Sequence, residues 1–333
     1  MVGLAGLMSN RYKLDDVPDL TGKIAVVTGG SRGIGSALAE GLVKKGAEVH
    51  ILSSTPEHGD EAVQTISSHA DSPNIHHHTV DLGSLSSVDE LAQKLNSNLP
   101  RLDMLYLIAG VGVAPYGKTQ DGLANHFAVN HLAHFLLTDR LLPKLKETSE
   151  KKQNADELEK FSTRIVSESS ELHRSAPGDL KLNEEEINDE MGPTELYGRS
   201  KLFDLLFIRE LARKHLPSLT SSSPILALSV HPGAVATEQQ KGAAEAYGLL
   251  GKALETVASY IFMDPSQGAE SAFWAGTSGS VASRRDEVQG RYFTEADGKI
   301  DTESKQGLDD ELAQKLWDVS VKVLKQKGFE VSF

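Results

Sequence analysis

Short runs of branched apolar residues alternate along this chain with longer stretches whose apolar positions recur every three or four residues. Residues 23–28, 48–52, 76–81, 104–108, 164–167 and 225–231 read as strands, the first ended by glycines. Residues 37–45, 57–68, 87–95, 125–145 and 197–215 read as helices, and Gly46 stops the first of them. Strands alternating with helices of this length predict an α/β fold. It should be a single doubly wound domain, a central parallel sheet with helices on both faces. No internal repeat is evident.

Breaks in the rhythm mark the remaining organisation. Residues 1–18 read as an N-terminal arm, broken by Asp15, Asp16 and Pro18, and residues 19–333 as the domain. Residues 147–160 are charged and polar, a solvated connection. Residues 172–196 form an acidic insertion containing Pro177, Gly178, Gly192 and Pro193. Residues 238–264 form a mostly helical excursion with an apolar face of Ala243, Tyr247, Leu250, Leu254 and Ile261. Long connections in a compact domain are commonly functional. The last two follow strand ends, where α/β sites form, so both are expected to be small substrate lids.

Composition narrows the classes. The chain has 333 residues, 39% of them hydrophobic and 24% charged, and a net charge of −13. Such a chain repels phosphate backbones, so no nucleic-acid partner is expected. It has no cysteine, which excludes disulfides, thiolate metal sites and a cysteine nucleophile. No apolar run approaches the ~20 residues of a membrane span. Val2–Met8 is apolar but short, with no basic residue before it, so it is not read as a signal peptide. A cytoplasmic protein without an integral membrane segment is expected.

Between the first strand and the first helix lie Gly29, Gly33 and Gly35, with Ser31, Arg32 and Ile34 among them. A glycine turn there brings backbone N–H groups and a helix N-terminus to one point, a site built for a pyrophosphate. Dinucleotide sites selective for NAD place an acidic residue at the end of the second strand, against the ribose hydroxyl. This chain has Ser53-Ser54-Thr55 instead. Hydroxyls donate to a 2′-phosphate, and Arg32 supplies its countercharge. NADP(H) is therefore expected over NAD(H).

Tyr197 and Lys201 stand four residues apart, on one helix face. A neighbouring ammonium favours phenolate, so Lys201 is expected to lower a phenol pKa that is ordinarily ~10. With the Thr28–Gly35 turn, this pair makes the sequence resemble the short-chain dehydrogenase/reductase family, whose domain is of Rossmann type. Further motifs follow in order: Asp81-Leu82, Asn130, the Arg164–Ser170 segment, and Pro232-Gly233 with Thr237. Residues 127–135, 290–293 and 316–317 place the likeness nearest the retinol-dehydrogenase-like branch.

The resemblance implies roles. Tyr197 would be general acid in reduction and base in oxidation, and Lys201 would lower its pKa and bind the nicotinamide ribose. Ser170 would hold the carbonyl oxygen, with Ser169 the next choice. Asn130 would anchor a water linking Lys201 to solvent. Asp81 would contact the adenine, and Pro232, Gly233 and Thr237 the nicotinamide. The family commonly has Asn-Asn-Ala-Gly after the fourth strand, where this chain has Leu107-Ile108-Ala109-Gly110. Ala109 and Gly110 still let the backbone approach the cofactor, but bracing amides are lost.

These readings imply an NADPH-dependent oxidoreductase acting on a medium-to-large apolar ketone, aldehyde or alcohol. The alternatives are a dinucleotide-binding sensor with little turnover and a net non-redox enzyme on the same fold. No metal site is expected. Successive residues of a strand point to opposite faces, so His76, His77 and His78 do not converge. His126, His131 and His134 read as packing, and Glu184–Glu186 as a solvated charge run. The helix carrying Leu202–Ile208 is apolar nearly all round. Its outer side should meet the partner of a homodimer or the chain's own segment 312–329.

Overall fold

The computed structural model describes residues 12–151, 161–216, 224–233 and 264–333. Seven parallel strands form one sheet in the order β3-β2-β1-β4-β5-β6-β7. They are β1 (Ile24–Thr28), β2 (Glu48–Ser53), β3 (Ile75–Thr79), β4 (Met104–Leu107), β5 (Thr163–Glu168), β6 (Ile225–Val230) and β7 (Tyr292–Phe293). Strands β1, β4, β5 and β6 are buried on both faces; β1, β4 and β6 are accordingly almost wholly apolar, whereas β5 also buries Thr163, Arg164, Ser167 and Glu168.

The pleat sorts side chains between two cores. Val26, Leu52, Leu105 and Ile165 pack under α3 (Leu85–Asn98), α4 (Ala133–Glu150), α5 (Pro193–Glu210) and α7 (Asp310–Gln326). Val27, Ile51, Tyr106 and Leu228 pack under α1 (Gly33–Lys44), α2 (Pro56–Ala70) and α6 (Glu270–Thr277). The doubly wound reading holds. The sheet order reverses between β1 and β4, and a crevice opens there at the carboxyl ends of the strands.

Of the two expected covers for the outer side of α5, the chain's own segment is found there, as α7: Phe207 stacks with Trp317 at 6.0 Å, and Trp317 packs on Phe135 and Phe333. The chain's own helix thus fills the face for which a partner subunit was the alternative. The arm is not all loose lead-in, since Val17 is buried and the Tyr12 hydroxyl meets Thr277. Four residues of the acidic insertion, 193–196, already belong to α5. Pro193 holds its first turn and the Glu195 carboxylate accepts from Gly192 N–H, the ordinary chemistry of a helix start.

The rest of the insertion is fastened rather than loose. Ile187 is fully buried, and the buried Arg199 guanidinium donates to the Glu186 and Ile187 carbonyls. Glu186 is half-buried, and its carboxylate accepts from the Lys181 and Leu182 N–H groups. The histidine argument also needs amending. His77 does face away, but His76 and His78 share a face and meet His50 on the neighbouring strand. The 238–263 excursion and Thr237 lie outside the described residues.

Candidate active site

The glycine turn is shaped by contacts that admit no side chain. Gly29 and Gly33 have positive φ, which glycine adopts without cost. A Cβ on Gly35 would lie 2.3 Å from the Gly29 carbonyl oxygen. The turn delivers the chain into the first turn of α1 at Gly33 and opens onto a cavity of about 620 Å³. Twelve of the residues expected to bind a dinucleotide line it: Gly29, Ser31, Arg32, Gly33, Ile34, Gly35, Ser53, Ser54, Asp81, Leu82, Ala109 and Gly110. Its volume, its helix N-terminus and the absence of β-carbons at its throat fit a dinucleotide pyrophosphate.

The sequence reading missed two histidines beside Ser53 and the cavity. His58 lines the cavity, and His77 Nε2 lies 2.9 Å from Ser53 Oγ. His77 fits there only because position 59 is glycine, where a Cβ would overlap its ring. Asp81 turns its carboxylate onto Gly83 N–H at 2.7 Å, fixing the loop after β3.

The segment after β4 is braced despite lacking the asparagine pair. Thr28 Oγ accepts from Ile108 N–H at 2.9 Å and Ala109 N–H at 3.0 Å. His134 lies 3.0 Å from the same oxygen and 2.9 Å from the Asn130 carbonyl. Burial drives His134 down to about 3, so it is neutral. A neutral ring donates from Nδ1 to the Asn130 carbonyl and accepts the Thr28 hydroxyl at Nε2. His134 is thus more than packing.

Asn130 sits in a π-helical turn, Phe127–Leu132, a form frequent at functional sites. It is fully buried. Its Oδ1 accepts from Val111 N–H at 2.6 Å, and its Nδ2 donates to the Val111 carbonyl and to Ser200 Oγ. The side chain is thus engaged in holding the Val111 backbone and the Ser200 hydroxyl.

At the end of β5, Ser170 and Ser169 separate. Ser169 Oγ donates to the Lys201 carbonyl at 2.6 Å and is taken up by α5. Ser170 Oγ accepts from Leu172 N–H at 3.2 Å, and its hydroxyl is near enough to the Tyr197 phenol to pull that group's pKa down. Lys201 Nζ lies 5.9 Å from the Tyr197 ring centre. The ammonium donates to the Glu168 carbonyl at 2.7 Å and to Asp204 Oδ2 at 3.0 Å.

Tyr197 departs from expectation in sign. Burial raises its pKa above the ordinary 10.0; Lys201 and Ser170 pull it down, but Glu168 and Asp204 push it up, and the net direction is upward. The two carboxyls were not singled out in the sequence. Burial pushes each to about 7. Burial also opposes the Lys201 charge, yet Asp204, Tyr197 and Glu168 outweigh it and raise the lysine's pKa. Glu168 reaches the cavity wall, and its Oε2 has no hydrogen-bond partner among the described residues. Pro232 and Gly233 line a separate, smaller pocket beside His231 and Ser271.

Known proteins resemble this arrangement over most of its length. Residues 23–155 match the family described as short chain dehydrogenase. Retinol dehydrogenase 12 of Mus musculus is 31% identical over 305 residues, covering 92% of this chain and 87% of that protein. An oxidoreductase of Neurospora crassa, bli-4, is 32% identical over 328 residues, covering 96% and 76%, and its name includes mitochondrial. Among solved structures, the Pseudomonas aeruginosa RhlG/NADP active-site complex has a TM-score of 0.60 at 26% identity, covering 83% of this chain and 95% of that one. No helix among the described residues is long and apolar enough to cross a membrane.

Proposed function

The chain belongs to the short-chain dehydrogenase/reductase family, and on that premise we propose that it is an NADP(H)-dependent oxidoreductase interconverting an apolar alcohol with its ketone or aldehyde. The observation that carries this reading is the grouping of Ser170, Tyr197 and Lys201 next to Glu168, whose carbonyl Lys201 holds and which lines the glycine-turn cavity.

When bound, the reduced nicotinamide supplies a hydride to the carbonyl carbon. The Tyr197 phenol donates the proton that the carbonyl oxygen needs, and in oxidation takes it back. The Ser170 hydroxyl orients that oxygen. Lys201, held protonated, stabilises the phenolate left behind. Two of its three protons are used on Glu168 and Asp204, which leaves the third to donate to a bound ribose. A phenol raised by burial stays protonated through neutral pH, which suits reduction. Oxidation should accelerate as pH rises.

The preference for NADP(H) is supported by Arg32, Ser53 and Ser54 on the cavity wall, where the end of β2 carries Ser53-Ser54-Thr55 in place of an acidic residue that would repel a 2′-phosphate. The NADP named in the Pseudomonas complex agrees with it. An apolar substrate of medium to large size is supported by relatives named for retinol. Residues 172–196 would border it. The sensor alternative rested on Leu107 and Ile108, and the Thr28 hydroxyl supplies the bracing that those positions lack.

The test is consumption of NADPH and of NADH with a panel of apolar ketones and aldehydes. Turnover with kcat/KM at least about tenfold higher for NADPH is expected, a difference of about 1.4 kcal/mol. Tight cofactor binding without turnover across the panel would favour the sensor. Preference for NADH would overturn the cofactor assignment.

A further inference from the structure

At the outer edge of the sheet β2 and β3 run side by side, with His50 opposite His76 and Leu52 opposite His78. Residues two apart on a strand share a face, so Glu48, His50, His76 and His78 project together. Glu48 Oε1 lies 3.1 Å from His50 Nε2 and 3.3 Å from His76 Nε2. The ligand atoms of these three residues all fall within 4.8 Å of one another. We propose that Glu48, His50 and His76 bind a divalent transition metal, with Zn²⁺ the best fit.

Separation is the first argument. A tetrahedral Zn²⁺ with bonds of about 2.0–2.1 Å holds its ligand atoms about 3.3 Å apart. Two of the three pairs already stand at that spacing. The third closes by rotation of the His76 side chain, which is 48% exposed. The donor set is the second argument. Two imidazoles and a carboxylate suit Zn²⁺ better than the harder cations, which take oxygen. Three protein ligands leave a fourth position for water.

His78 supplies the outer layer. Its Nε2 lies 2.9 Å from His50 Nδ1. When His50 donates from Nδ1 to His78, its Nε2 lone pair points at Glu48 and at the metal. Ligating histidines are commonly oriented by such a partner on the other ring nitrogen. The His50 side chain is only 9% exposed and anchors the site, while Glu48 and His76 open it to solvent.

The site is distinct from the hydride chemistry. Glu48 is the first residue of β2, whereas Ser53, on the cavity wall, is its last. A metal here would tie the edge strand β3 to β2 and fix the strands whose far ends carry Ser53 and Val80.

Calorimetric titration of metal-free protein with Zn²⁺ tests the assignment without reference to activity. One saturating Zn²⁺ per chain is expected, of micromolar affinity or tighter. His76→Ala and Glu48→Gln should each weaken it at least about tenfold, and should abolish the rise in Tm that Zn²⁺ gives the parent protein. His69→Ala, which removes an exposed histidine paired with Glu40, should change neither. Absence of saturable binding, or equal binding in the Glu48 and His76 variants, would overturn the proposal. Because both side chains are partly exposed, folding of these variants is checked simply by their unliganded melting curves.

Discussion

Tyr197 and Lys201 were legible because their chemistry is local: four residues on one helix bring phenol and ammonium together. Glu168 and Asp204 were not, because their effect arises only when β5 and α5 bury them against that ammonium. Burial holds Glu168 near 7, against an ordinary value of 4.5. The folded protein therefore keeps a proton that the unfolded chain has released. The resulting loss of stability is absent below the unfolded value, grows as pH rises toward 7, and is constant above it. Glu168→Gln should stabilise the protein by about 1–3 kcal/mol near pH 8 and by much less near pH 5, measured by urea unfolding at both. Equal gains at the two pH values would contradict a raised carboxyl. At the other end of the cavity, Arg32→Ala should weaken NADPH binding about tenfold or more and NADH binding little, since a charge-assisted bond contributes about 1.5–3 kcal/mol. Titration of both cofactors checks this.

Among the elements, the alternation of strands and helices was readable because each strand is an apolar run and each helix keeps its own period. Boundaries were less so. The long helix starts at Asn125 as expected but passes through a π-helical turn at Phe127–Leu132 that the sequence did not announce, and α5 begins at Pro193, inside what read as insertion. The brace from β1 to β4 and α4 was invisible, because Thr28, Ile108 and His134 are brought together only by the strand order. Thr28→Val removes the acceptor of two backbone N–H groups and the donor to His134. It should cost about 1–3 kcal/mol in stability, with a parallel loss in cofactor affinity, while Thr28→Ser should restore both. Denaturant midpoints and binding titrations decide it. A neutral Thr28→Val would mean that the segment after β4 is held by other contacts.

The whole molecule is closed by its C-terminal helix. Asp309 caps α7 by accepting from Glu311 and Leu312 N–H, and the helix lays Trp317 among Phe135, Phe207 and Phe333 with the His215 ring stacked 3.8 Å away. The sequence left open whether this helix or a second subunit would cover α5, because an apolar face does not state what meets it. Trp317→Ala opens a cavity against α5, the helix that carries Tyr197, and should cost about 3–5 kcal/mol, seen as a lower urea midpoint. Near-parent stability would mean that α7 does not close the core.

The account rests on proton donation by Tyr197. Initial rates of NADPH consumption with the best apolar carbonyl, measured for the parent and for Tyr197→Phe beside a cofactor titration of each, test it most directly. The expected result is a kcat lower by about 10²–10⁴-fold with NADPH affinity nearly unchanged. Turnover of the Tyr197→Phe protein near the parent rate would contradict the account, because the proton would then come from another group.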